Sequence, residues 1–282
     1  MFCALFVAGC KFDGSSPVGV DPATIDAAVV VSDGSGDGAI IDAATGDGAT
    51  DGAPDASAAA CEATSCNNCV GGVCVFDCIS PGSCTTDAIV CPAGVPCRVD
   101  CGQNSCTKAI DCTLASSCDI NCSGTSACTE PITCAGSSCD VTCNQNSCKK
   151  AISCNSDDCN IDCSVQLSCS DTITCQGAAC DIVCGQNSCT KAIVCSSTEA
   201  CSVDCSSVDS CSETITCGTG SCDVTCGQSS CKKRVNCSNS CACDVDCGAI
   251  NSCPEGSSCP SPSCNDNNGC SLTPTPCNSS CP

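Results

Sequence analysis

The sequence predicts an all-β protein, a disulfide-rich parallel β-solenoid of about nine coils of roughly 21 residues, preceded by a disordered linker. Three observations carry this reading. Four cysteines recur at nearly fixed offsets in each unit, two aliphatic columns keep pace with them, and a charged position alternates in sign from unit to unit.

The cysteines come first. They number 46 of 282 residues, well above the level at which a disulfide framework becomes the default reading. His, Trp and Tyr are absent, and the only Phe residues are Phe2, Phe6, Phe12 and Phe76, so few large side chains are available for a conventional core. Thiols on this scale pair in an oxidising compartment, which predicts an exported protein. The net charge of −22 excludes a phosphate-backbone partner, which would need Lys and Arg, so no nucleic-acid binding is expected.

Units begin at Cys78, Cys101, Cys122, Cys143, Cys163, Cys184, Cys205, Cys226 and Cys247, in steps of 20 to 23 residues. Two residues before each third cysteine stand Ile89, Ile110, Ile132, Ile152, Ile173, Ile193, Ile215 and Val235. Two residues after each fourth stand Val99, Ile120, Val141, Ile161, Ile182, Val203, Val224 and Val245. This second column lies in the alternation Cys-x-Ile/Val-x-Cys, which in a strand turns Cys and Ile/Val to one face and polar residues to the other. One such strand cannot bury its face alone. Stacked coils can, at a strand spacing that gives a rod of about 43 Å for nine coils.

The charged column is Lys108, Glu130, Lys150, Asp171, Lys191, Glu213, Lys233 and Glu255. In-register stacking places opposite charges on successive coils. The turn Gly102-Gln103-Asn104-Ser105 returns as Asn144 to Ser147, Gly185 to Ser188 and Gly227 to Ser230, so the full period is two coils, about 42 residues. Tandem disulfide-stapled modules are the alternative. They account for the period but give no reason for the sign alternation within it.

The ends differ from the repeat. Residues 61–77 read as an N-terminal cap, with Phe76 in the second aliphatic column. Residues 78–253 are the repeats. Residues 254–282 read as a Pro- and Cys-rich C-terminal cap, where Ser257 and Asp266 replace the aliphatic residues.

Residues 11–60 contain no Cys and carry Asp every four to seven residues from Asp21 to Asp55, the composition of a self-repelling linker. Before them, the apolar run Phe2 to Ala8 ends in Val7-Ala8-Gly9-Cys10. This resembles the lipobox of Gram-negative surface lipoproteins, whose Asp/Ala/Gly-rich spacers the linker also resembles. No Lys or Arg precedes the apolar run, where the family pattern has one. The resemblance implies a signal over residues 1–10, lipidation at Cys10 and a membrane partner through that lipid. Lys11, where Asp would retain a lipoprotein in the inner membrane, implies the outer membrane or cell surface.

The sequence supports no enzyme. Without His, Cys–His and Ser–His nucleophiles are excluded. Ser105-x-x-Lys108 and its three repeats lack the partner motifs of serine β-lactamases and read as a stacking feature. Metal–thiolate binding, as in metallothioneins, would need dense Cys-x-Cys clusters, and only Cys241-Ala242-Cys243 and Cys66-x2-Cys69 qualify. No cofactor is expected. An acidic strand face including Asp119, Asp140, Asp181, Asp223 and Asp244 is a candidate for weak Ca²⁺ binding. Alternating Thr-x-Thr ranks resemble those of antifreeze solenoids, but Lys stands near them in the other coils. The function expected is structural or adhesive, with a surface or protein partner that the sequence does not identify.

Overall fold

A computed structural model describes residue 61, residues 66–258 and the backbone of the strand at 265–266. All of these belong to one compact unit, Gly52–Pro282. The proposed signal, Cys10 and the whole linker at 11–60 lie outside the described residues.

Alternation of Cys and Ile/Val with small polar residues produces strands that are buried on one side only. Cys118–Cys122, for example, buries Cys118, Ile120 and Cys122 and turns Asp119 and Asn121 outward. Each strand then pairs in parallel with its counterpart one coil on. Val99 pairs with Ile120, Ile120 with Val141, Val141 with Ile161 and Ile161 with Ile182. The other column runs likewise through Ile110, Ile132, Ile152, Ile173, Ile193, Ile215 and Val235. Continuous register over the repeats establishes the solenoid and rules out separate beads. Ile110, Ile120, Ile132, Ile152, Ile161, Ile173, Ile182, Ile193 and Ile215 are each at most 1 % exposed. Full burial of such a side chain contributes roughly 1.5–3 kcal/mol, so the stack itself builds the core.

Cysteines complete that core, and they pair locally. Within each regular coil the first cysteine bonds the second and the third bonds the fourth, as in Cys143–Cys148 and Cys154–Cys159. The first bridge spans the turn after one strand, and the second spans the corner between the coil's two aliphatic columns. Among the described residues these repeat bridges close within their own coil. Near the N-terminus two bridges interleave, Cys61–Cys69 and Cys66–Cys74. Because every coil bridges at the same places, sulfurs of adjacent coils come together: those of Cys91, Cys112 and Cys118 lie within 4.8 Å of one another.

The turn between first and second cysteine is an arch that packs as tightly as the strands. Asn104 and Cys106 have φ of 55° and 50°, and the equivalent pairs Asn146 and Cys148 and Asn187 and Cys189 repeat this. Asn tolerates the left-handed region better than most residues. Cys does not share that tolerance and is held there by the bridge and by stacking, as Cys128 N donates to Ser105 O at 3.2 Å and Cys148 N to Ala127 O at 3.2 Å. Glycine opens the arches at Gly102, Gly185 and Gly227, where a Cβ, as on Gly185 against the Ser164 carbonyl, would collide with the coil before, while Asn144 holds the equivalent place after Cys143.

Both ends close the stack differently from its middle. At the start, Asn68–Val70 folds back antiparallel on Val73–Cys78, through Gly71 and Gly72 with φ of 57° and 79°. Phe76 then pairs with Val99, filling the aliphatic column as its sequence position predicts. At the far end Val235 pairs with Ser257 and Val245 with Asp266, so the backbone ladder continues after the apolar residues stop.

Candidate functional site

The acidic residues sort into two columns, and the stacking decides which of them meet. The first column contains Arg98, Asp119, Asp140, Asn160, Asp181, Ser202, Asp223 and Asp244 in register. All five candidate calcium residues therefore share one line. Asn160 and Ser202 divide them, so that Asp119 sits beside Asp140, Asp223 sits beside Asp244, and Asp181 stands between neutral neighbours. Partial desolvation by the flanking strands raises the Asp119 carboxyl above its ordinary pKa, with Asp100 and Asp140 adding to the shift and Arg98 opposing it. Asp223 is raised for the same first reason, reinforced by Asp244 and Asp246.

The second outward column has a structural occupation. Asp162 Oδ1 accepts a bond from Ser164 N at 2.8 Å, Asp204 Oδ1 from Ser206 N at 2.8 Å, and Asp246 Oδ1 from Gly248 N at 2.9 Å. These carboxylates begin the arches after Cys163, Cys205 and Cys247 by accepting from an amide at the start of each. Asp100 instead receives Arg98, whose Nε lies 2.9 Å from Asp100 Oδ2. Arg98 thus neutralises the top of the acidic face. It was not singled out by sequence reasoning, and the signal available was its position one residue after a fourth cysteine, where other coils carry Asp. A groove of about 370 Å³ lies beside it, lined in part by Pro96, Arg98, Ser117, Asp119 and Asp140.

The charged column stacks as the alternation requires, yet it forms few ion pairs. Lys233 Nζ lies 2.8 Å from Glu255 Oε1, both exposed, and this is the column's one ion pair among the described residues. Its hydrogen bond to Lys233 holds the Glu255 carboxyl below its ordinary range and raises the Lys233 ammonium. Lys232, next along the chain, pairs with Asp209 at 3.0 Å.

The Ser-x-x-Lys serines are buried and fully used. Ser188 Oγ donates to Val165 O at 2.8 Å and accepts from Ser168 N at 3.1 Å, so the hydroxyl links one arch to the next. Ser105, Ser147, Ser168, Ser210 and Ser230 are likewise 0 % exposed. Each described cysteine is disulfide-bonded. The clustered sulfurs could become thiolate ligands only after reduction.

These features define a disulfide-stapled parallel β-solenoid with one acidic face and one charge-balanced face. Compared with protein-family models, with characterised proteins and with solved structures, the chain gives no match. Its extensive disulfide bonding is consistent with an exported protein.

Proposed function

We propose that the chain is a non-enzymatic surface lipoprotein that displays a rigid, disulfide-stapled rod on a flexible stalk, for adhesion or envelope structure. The observation that carries this reading is the self-contained coil. From Cys101 to Cys222 each coil closes its own two bridges and buries its own Ile and Val, and buried serines such as Ser188 hold the neighbouring arch. Such a rod is built for persistence outside the cell. The spacer at residues 11–60 and a lipid on Cys10 supply the attachment to the outer membrane.

The test is export of the chain behind a complete lipoprotein signal in a Gram-negative host. The protein is expected in the detergent phase on phase partitioning, and Cys10→Ala is expected to move it to the aqueous phase. Equal partitioning of the two forms would overturn the anchor. A second reading, weak Ca²⁺ binding, is supported by the adjacency of Asp223 and Asp244 on consecutive coils with Asp246 alongside. It leaves the structural reading intact.

A further inference from the structure

The charged column has a symmetry that a single chain does not use. Along it the signs run Lys108, Glu130, Lys150, Asp171, Lys191, Glu213, Lys233, Glu255, eight positions in strict alternation. An even, alternating row reads with opposite sign from its other end. Turned end over end and laid against itself, it places Lys108 opposite Glu255, Glu130 opposite Lys233, Lys150 opposite Glu213 and Asp171 opposite Lys191. Every rung is then a cation facing a carboxylate.

We infer that this face is an interface between two copies of the chain, packed antiparallel about a two-fold axis that crosses the column between Asp171 and Lys191. Three observations support this occupant over others. Within one chain, of the described residues of this column only Lys233 and Glu255 are at ion-pair distance, so Lys108, Glu130, Lys150, Asp171, Lys191 and Glu213 retain charge for an external partner. Beside the column runs a parallel strand face whose outward residues are small and uncharged through its middle, Thr133, Ser153, Thr174, Val194 and Thr216, with Asp111 at one end, set by the two-fold against Ser258, and Asn236 near the other. Two such faces can approach closely. The same two-fold places Ser153 against Thr216 and Thr174 against Val194, and it sets no like charges together.

The net charge of −22 opposes association. The column itself sums to zero, however, and the Asp119 to Asp244 line belongs to the coil's other strand. A parallel pairing about an axis along the rod lays the column against a different part of the partner and loses all eight rungs. The contact spans about 34 Å by 12 Å, from seven strand spacings and a few residues of width. That is roughly 400 Å² from each copy, the class of weak, reversible interfaces. The inference does not depend on the anchor at Cys10.

The experiment uses the full chain, exported and oxidised, with Cys3→Ala and Cys10→Ala to exclude a disulfide-linked or lipid-driven dimer. Sedimentation velocity across a concentration series is expected to show a monomer–dimer equilibrium. One variant carries Lys108→Glu, Lys150→Glu, Lys191→Glu and Lys233→Glu. A second carries Glu130→Lys, Asp171→Lys, Glu213→Lys and Glu255→Lys. Each alone is expected to sediment as monomer, and their equimolar mixture to recover the dimer. Should either variant fail to fold, zero-length carbodiimide cross-linking of the unsubstituted column decides the matter. Lys108 and Glu255 lie about 34 Å apart in one chain, seven strand spacings, so a cross-link between them reports only an antiparallel pair. A chain that stays monomeric at hundreds of micromolar, a mixture that sediments no faster than its components, or a dimer without the Lys108–Glu255 cross-link would overturn the proposal.

Discussion

Ser168 Oγ lies 3.2 Å from Ser188 Oγ, one coil away, and both side chains are fully buried. The column of serines they belong to is the polar counterpart of the isoleucine columns. Hydroxyls that would be costly to bury alone satisfy one another and the arch backbones.

Removing one member exposes that dependence. Ser188→Ala strips the Ser168 amide and the Val165 carbonyl of a partner in a buried setting. A loss of about 1–3 kcal/mol is expected in guanidinium unfolding with the bridges intact. Ala127 already occupies this column, with its amide donating to Ser147 Oγ at 3.2 Å. Ala127→Ser should therefore be neutral or mildly stabilising.

The corner between the aliphatic columns gives the opposite result at one hydroxyl. Ser156 is 2 % exposed, and its Oγ has no hydrogen-bond partner among the described residues. Ser156→Ala should stabilise the protein by about 1 kcal/mol, because it removes an unpaired polar group without opening a large cavity. The neighbouring Gly177, at φ 155°, has no room for a Cβ against the Ser156 carbonyl. Gly177→Ala should cost several times what Ser156→Ala returns, measured by the same denaturant midpoint.

The raised carboxyls at Asp119 and Asp223 fix a sign for the pH dependence. An acid whose folded-state pKa exceeds its unfolded value favours the fold while protonated, and that contribution is lost as pH rises from about 4 through the folded value. Asp223→Asn should accordingly raise the melting temperature at pH 7 and leave it nearly unchanged at pH 3. Millimolar calcium should raise the melting temperature of the unsubstituted chain at pH 7, and Asp223→Asn should remove that increment. Absence of a calcium effect would dispose of the metal reading and leave the pH prediction standing.

Whole coils can be deleted without orphaning a thiol. Deleting 163–183 removes the closed pairs Cys163–Cys169 and Cys175–Cys180, and it brings Lys150 next to Lys191 and Ser156 next to Ser197. Deleting 163–204 also removes Cys184–Cys189 and Cys195–Cys201, and it brings Lys150 next to Glu213 and Ser156 next to Gly218. The longer deletion restores both alternations and should lose less stability per coil. Equal loss per coil, in products shown by mass to be fully oxidised, would mean that the two-coil period has no structural role.

The strands were legible because Ile and Val keep a fixed offset from cysteines of nearly constant spacing. The residue paired with Ile120 is the one the offset names, Val141. The acidic face was legible as a set but not as a surface, since only the register reveals that Asn160 and Ser202 divide it. Cysteine pairing could not be read at all. Offsets of five or six residues fit both a bridge within a coil and one to the next, and the choice depends on Cys106 and its equivalents adopting positive φ. No sequence signal announces that conformation at a cysteine. The serine column was visible as Ser recurring before the second cysteine of the coils, with Ala127 as the exception, but its burial follows from the arch geometry.

Bridges confined to five or six residues have a consequence for biogenesis. In a chain that emerges in order into an oxidising compartment, the correct partner of a repeat cysteine follows it by five or six residues, before any distant competitor. Oxidation can then proceed from the first coil to the last, each completed turn serving as the template on which the next one is laid. The chain avoids the combinatorial problem that so many thiols would pose if they were released together, and it matures like a growing crystal face.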